Sequence, residues 1–103
     1  MCLYGNDCMR QAIETFSYNH PEAWADARDI EDVEPADIRR RLSLSKGSLD
    51  VLVGGPPCQG FSINAPERFL WDPRNKLFKD SVRSIEEFNP KTFLFENVPG
   101  VLL

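Results

Sequence analysis

The chain has 103 residues, room for one ordinary domain at most. Apolar residues make up 42% and charged residues 27%, the balance of a folded soluble chain, and no apolar run approaches the roughly 20 residues of a membrane span. A net charge of -4 argues against a free-standing nucleic-acid binder, though not against one that borrows a basic surface from another domain. Three cysteines (Cys2, Cys8, Cys58) form no C-x-x-C pair and His20 is the only histidine, so neither a disulfide framework nor a metal site is expected. Met1 to Arg10 hold no apolar signal core, which makes a cytoplasmic address the default.

Taken in order, residues 7–19 (DCMRQAIETFSYN) place Met9, Ala12, Ile13 and Phe16 at helical spacing behind Asp7, a candidate N-cap. His20-Pro21 stops that helix, because the residue before proline avoids the α region. Residues 22–34 are acidic and hold a short strand, with Trp24 and Ile30 as the expected buried points. A second helix is predicted from Pro35 to about Leu44, with 39-RRR-41 in its later turns and 45-SKGS-48 as its end. The valine-rich run 50-DVLVGG-55 reads as a buried parallel strand. Residues 60–71 lack periodicity and read as a loop, expected to act as a mobile lid. A third helix is predicted from Asp72, with Pro73 in its first turn and an apolar face of Leu77, Phe78, Val82, Ile85 and Phe88. A last strand, 91-KTFLF-95, runs into 96-ENVPG-100. This alternation implies an α/β layer fold with a parallel sheet, and open α/β sheets bind ligands beyond the C-terminal ends of their strands.

Both distinctive motifs lie there. In 54-GGPPCQGFS-62 two prolines fix φ and glycines flank them, so a stiff turn presents the thiol of Cys58. The plain alternative is an inert buried cysteine. Glu96 begins the second motif, and by itself it could equally be a solvated strand-end charge. A cysteine hydrolase is a poor match, because its nucleophile needs a histidine base and His20 lies at the wrong end of its helix.

The words 56-PPCQGFS-62, 72-DPRNKLF-78 and 96-ENV-98, in this order and spacing, resemble the cytosine-C5 DNA methyltransferase family, and the resemblance covers essentially the whole chain. Upstream, 14-ETFSYNHP-21 is similar to the end of the family's first crossover helix, and 29-DI-30 to its adenine-contacting acidic position. The resemblance implies a partial Rossmann-like fold and methyl transfer from S-adenosylmethionine to C5 of a flipped cytosine in double-stranded DNA. It implies Cys58 as nucleophile, Glu96 as the group acting on N3 if burial raises its pKa, and Asn97 as a residue holding the loop. Cofactor contacts would fall to Asp7, Asp29, Ile30, Pro57 and Leu77, and nucleic-acid contacts to Gln59, Ser62, Arg68 and Arg74. Asp7 could instead be only a helix cap, Leu77 only core, and the basic residues, with Lys76 and Lys79, only a solvated face.

The chain also departs from the family's pattern. No F-x-G-x-G turn is present, and Tyr4-Gly5 is all that precedes the first helix. The target-recognition domain is missing too, and without the family's first strand beside those found here, exposed apolar edges and faces are expected. Residues 1–103 therefore read as an incomplete catalytic domain, inactive alone. The alternative is a non-catalytic fragment, or one half of a split methyltransferase that needs a complementing chain.

Overall fold

A computed structural model describes residues 1–55 and 76–96, except for the side chains of residues 76 and 77. The chain divides into two compact units, Met1–Glu34 and Pro35–Leu103.

The first unit is a β-α-β crossover. Strand β1 (Tyr4–Asn6) leads to helix α1 (Arg10–Asn19) and strand β2 (Trp24–Asp26), and a 3-10 turn follows at Ile30–Asp32. The strands pair in parallel, Tyr4 opposite Trp24 and Asn6 opposite Asp26. Tyr4 and Trp24 meet edge to face, with ring centroids 5.0 Å apart. Helix α1 lies close over β1: a Cβ on Gly5 would come within 2.5 Å of the Phe16 ring.

Three expectations change here. Tyr4 and Gly5 are not a bare lead-in to the helix but the start of a strand. Glycine and asparagine are poor strand formers, so this strand exists through its pairing with β2 rather than through its own propensity. Asp7 does not cap α1, whose N-cap is Met9 without a side-chain bond; instead the Asp7 carboxylate accepts from Met9 N at 2.8 Å, closing a turn before the helix. Trp24 and Ile30 are half-buried, and full burial falls on Asp26 and Val33.

The second unit contains helix α2 (Pro35–Arg41), strand β3 (Val51–Gly54), helix α3 (Lys76–Phe88) and strand β4 (Thr92–Phe95). Its strands are again parallel, Val51 opposite Thr92 and Gly54 opposite Phe95. Ile38 of α2 and Phe88 of α3 are buried. Arg39 Nε donates to Glu87 Oε1 at 2.9 Å, tying the two helices together.

Helix α2 ends three residues earlier than expected. Ser43 takes the left-handed conformation (φ 59°). Ser43 N then donates to Arg40 O and Leu44 N to Arg39 O, the bond pair of a Schellman ending. Helix α3 closes on left-handed Asn89 (φ 44°), with Pro90 behind it. The expected start of α3 at Asp72 and Pro73, and the loop at 60–71, lie outside the described residues.

The expectation of fully buried strands is also corrected. Phe95 turns toward α3 and meets the Phe78 ring. On the opposite face Val51, Val53 and Leu94 are 53%, 69% and 63% exposed. Phe93, on the same face as Phe95, is 54% exposed as well, so α3 covers part of one face and leaves the other bare. The α/β class holds: parallel strands with flanking helices, consistent with part of a Rossmann-like methyltransferase fold.

Candidate functional site

In the first unit the C-terminal ends of β1 and β2 carry Asn6, Asp7, Asp26, Arg28 and Asp29. Asp26 is 5% exposed. It stays ionised because donors surround it: Arg28 Nη2 at 2.7 Å, Arg28 Nε at 2.9 Å, Arg28 N at 3.1 Å and the Tyr4 hydroxyl at 2.7 Å. The Arg28 guanidinium is the main reason that the Asp26 carboxyl is pushed down to about 2, against the opposing effect of burial. Burial, and then the bond to Asp26, push the Tyr4 hydroxyl well above its ordinary value. Asp26 in turn raises Arg28. The guanidinium also lies 5.9 Å from the centre of the Trp24 ring.

On this base stand the two acidic groups expected to hold a cofactor. Asp7 and Asp29 are both exposed. Each uses Oδ1 to accept a backbone N–H two residues on, Met9 for Asp7 and Glu31 for Asp29. Ile30 follows as a half-buried apolar residue at the head of the 3-10 turn. Adenosine presents a ribose diol and an exocyclic amine, all donors, beside an apolar ring. Two oriented carboxylates and an adjacent isoleucine are acceptors and surface of the matching kind, so these residues fit the adenosine end of S-adenosylmethionine.

In the second unit the ends of β3 and β4 converge. Glu96 N donates to Gly54 O at 3.0 Å. A Cβ added at Gly55 would lie 3.9 Å from Glu96 Oε2. Glu96 is exposed, with its carboxylate beside the residue that leads into PPCQ. The expected site residues Pro57, Cys58, Gln59, Ser62, Arg68, Arg74 and Asn97, and the side chain of Leu77, lie outside the described residues.

The sequence reading missed Asn6 and the Tyr4–Asp26–Arg28 cluster. The available signal was Asp26 and Arg28 at i, i+2, a spacing that puts them on one side of an extended segment. Among the described residues, no group of histidine, cysteine and acidic side chains could hold a metal ion, and no helix is long and apolar enough to cross a membrane.

A profile of the family described as C-5 cytosine-specific DNA methylase matches residues 1–103. The type II methyltransferase M.AgeI of Thalassovita gelatinovora is 46% identical over 100 residues, which cover 97% of this chain and 23% of that protein. The type II methyltransferase M.DdeI of Desulfomicrobium norvegicum is 43% identical over 91 residues, 88% of this chain and 21% of that protein. The type II methyltransferase M.FnuDI of Fusobacterium nucleatum is 46% identical over 100 residues, 97% of this chain and 26% of that protein. The chain thus spans about a quarter of the length of these relatives. Its motif words, its parallel α/β units and these matches agree, and the chain belongs to the C-5 cytosine-specific DNA methylase family.

Proposed function

We propose that this chain is the catalytic segment of a DNA cytosine-C5 methyltransferase that uses S-adenosylmethionine and acts on a flipped cytosine in double-stranded DNA. The observation that best supports this reading is the convergence of β3 and β4. Their register sets Glu96 beside Gly55, at the root of the segment that carries Cys58.

The chemistry follows from the residue types. When bound, S-adenosylmethionine would supply an electrophilic methyl group; Asp7, Asp29 and Ile30 would hold its adenosine end, and the resemblance implies Pro57 and Leu77 as further contacts. Cysteine is a strong nucleophile even at a modest thiolate fraction. The Cys58 thiolate adds to cytosine C6 and pushes electron density to C5. Negative charge then builds toward N3, where Glu96 supplies a proton or a strong hydrogen bond once the base covers it. The resemblance implies that Asn97 holds the loop. Once C5 has taken the methyl group, loss of the C5 proton to a base and β-elimination break the C6–S bond and release the Cys58 thiolate, and N3 gives its proton back to Glu96. The base must leave the duplex for this, and the resemblance implies nucleic-acid contacts by Gln59, Ser62, Arg68 and Arg74.

The test is covalent trapping by the protein that carries this chain, mixed with S-adenosylmethionine and 5-fluorocytosine DNA. Fluorine at C5 blocks the final elimination, so a denaturation-resistant adduct is expected, and Cys58→Ser is expected to remove it. Glu96→Gln is expected to slow methyl transfer by about 10²–10⁴-fold with cofactor binding nearly intact. An undiminished adduct in Cys58→Ser would reject the assignment.

A further inference from the structure

We propose that Asn6 is a positioning residue for the cofactor site: its carboxamide sets the separation of Asp7 and Asp29. This rests on the reading that those two carboxylates hold the adenosine end of S-adenosylmethionine.

Asn6 closes β1, opposite Asp26. Its Nδ2 donates to Asp26 O at 3.0 Å and to Arg28 O at 2.8 Å. One nitrogen therefore uses both of its hydrogens to staple β1 to the turn that follows β2. Asp7 N adds a third tie, to Asp26 O at 3.2 Å. The stapled carbonyl of Arg28 immediately precedes Asp29, and Asn6 immediately precedes Asp7. Each acidic side chain stands one residue beyond the staple. The turn is braced from its other side as well, because Arg28 is clamped through its side chain and its backbone N–H onto buried Asp26.

A rigid ligand whose donors lie at opposite ends needs its acceptors at a fixed spacing. Carboxylates on exposed loops drift unless their backbones are tied. Serine in place of Asn6 offers one hydrogen and aspartate none, so neither can hold both carbonyls at once.

The experiment is calorimetric titration of the protein that carries this chain with S-adenosylhomocysteine and with S-inosylhomocysteine, in which the exocyclic amine is replaced by a carbonyl. The wild type is expected to prefer the amine, by about tenfold or more for one charge-assisted bond. Asn6→Ser and Asn6→Asp are expected to erase most of that preference while thermal unfolding still shows a folded protein. Equal weakening of both ligands, or an undiminished preference, overturns the positioning role. So does failure of both variants to fold, which assigns Asn6 to structure alone. Asp29→Ala separates the two levels: if it keeps the wild-type preference, the cofactor reading fails by itself, whatever Asn6 does.

Discussion

A carboxylate as deeply buried as Asp26 persists only where donors replace the water it has lost. Arg28 and Tyr4 do this, and the consequence is a dependence of folding on pH. The Asp26 carboxyl is lowered to about 2 from an ordinary value of 3.8. A depressed folded value contributes stability above the unfolded pKa and loses it as pH falls through the folded one. The first unit should therefore lose about 2 kcal/mol between roughly pH 5 and pH 2 on account of this group. Asp26→Asn is expected to be destabilised by a similar amount at pH 7 and to show a flatter profile across that window. Urea unfolding at a series of pH values measures both, and parallel profiles for variant and wild type would remove Asp26 from this role. Tyr4 acts at the other end. Its hydroxyl is raised, so its stabilising effect is complete below about pH 10 and falls away above it. Tyr4→Phe is expected to lose that alkaline decline.

Elements were legible where periodicity or proline and glycine marked them. Helix α3 showed its apolar face, and β3 and β4 showed their valine and phenylalanine runs. Strand β1 was not legible: three residues carry no period, and its cause is the register with β2. The end of α2 was hidden for another reason, since serine seldom takes the left-handed position that Ser43 occupies. A side chain there costs about 1 kcal/mol that glycine avoids. Ser43→Gly is expected to stabilise the second unit by about 0.5–1 kcal/mol, less the entropy that glycine adds to the unfolded chain; a drop in thermal midpoint would show that the serine has another task. Gly5 presents the reverse case. Its missing Cβ makes room for the Phe16 ring of α1. Gly5→Ala is expected to cost about 1–3 kcal/mol in urea unfolding by overpacking this contact, and Phe16→Leu in the same background to recover part of it.

At the scale of the molecule, the motif words identified the family, because PPCQ and ENV in this order and spacing form a specific combination where either word alone is weak. The bracing behind Asp7 and Asp29 was out of reach: Asn6 meets Arg28 across 22 positions of sequence, and no local pattern encodes a bond between a carboxamide and a distant carbonyl. The apolar runs of β3 and β4 did not themselves tell which face is bare, since such a run reads alike whether one face or both are covered; exposed apolar faces were expected only from the lack of the family's first strand. That bare face carries the last prediction. Val51, Val53 and Leu94 share it, because Val51 stands opposite Thr92 and Val53 opposite Leu94. Uncovered valine and leucine on a parallel pair invite association. The 103-residue chain, purified at micromolar concentration, is expected to self-associate in sedimentation and to bind a hydrophobic dye. Val53→Thr with Leu94→Thr puts β-branched, strand-favouring side chains at both positions while making the face more polar. This pair is expected to reduce both signals. Urea stability should change by less than about 0.5 kcal/mol, because exposed side chains contribute little to the folded state. Association that persists unchanged in the double variant would place the sticky surface elsewhere.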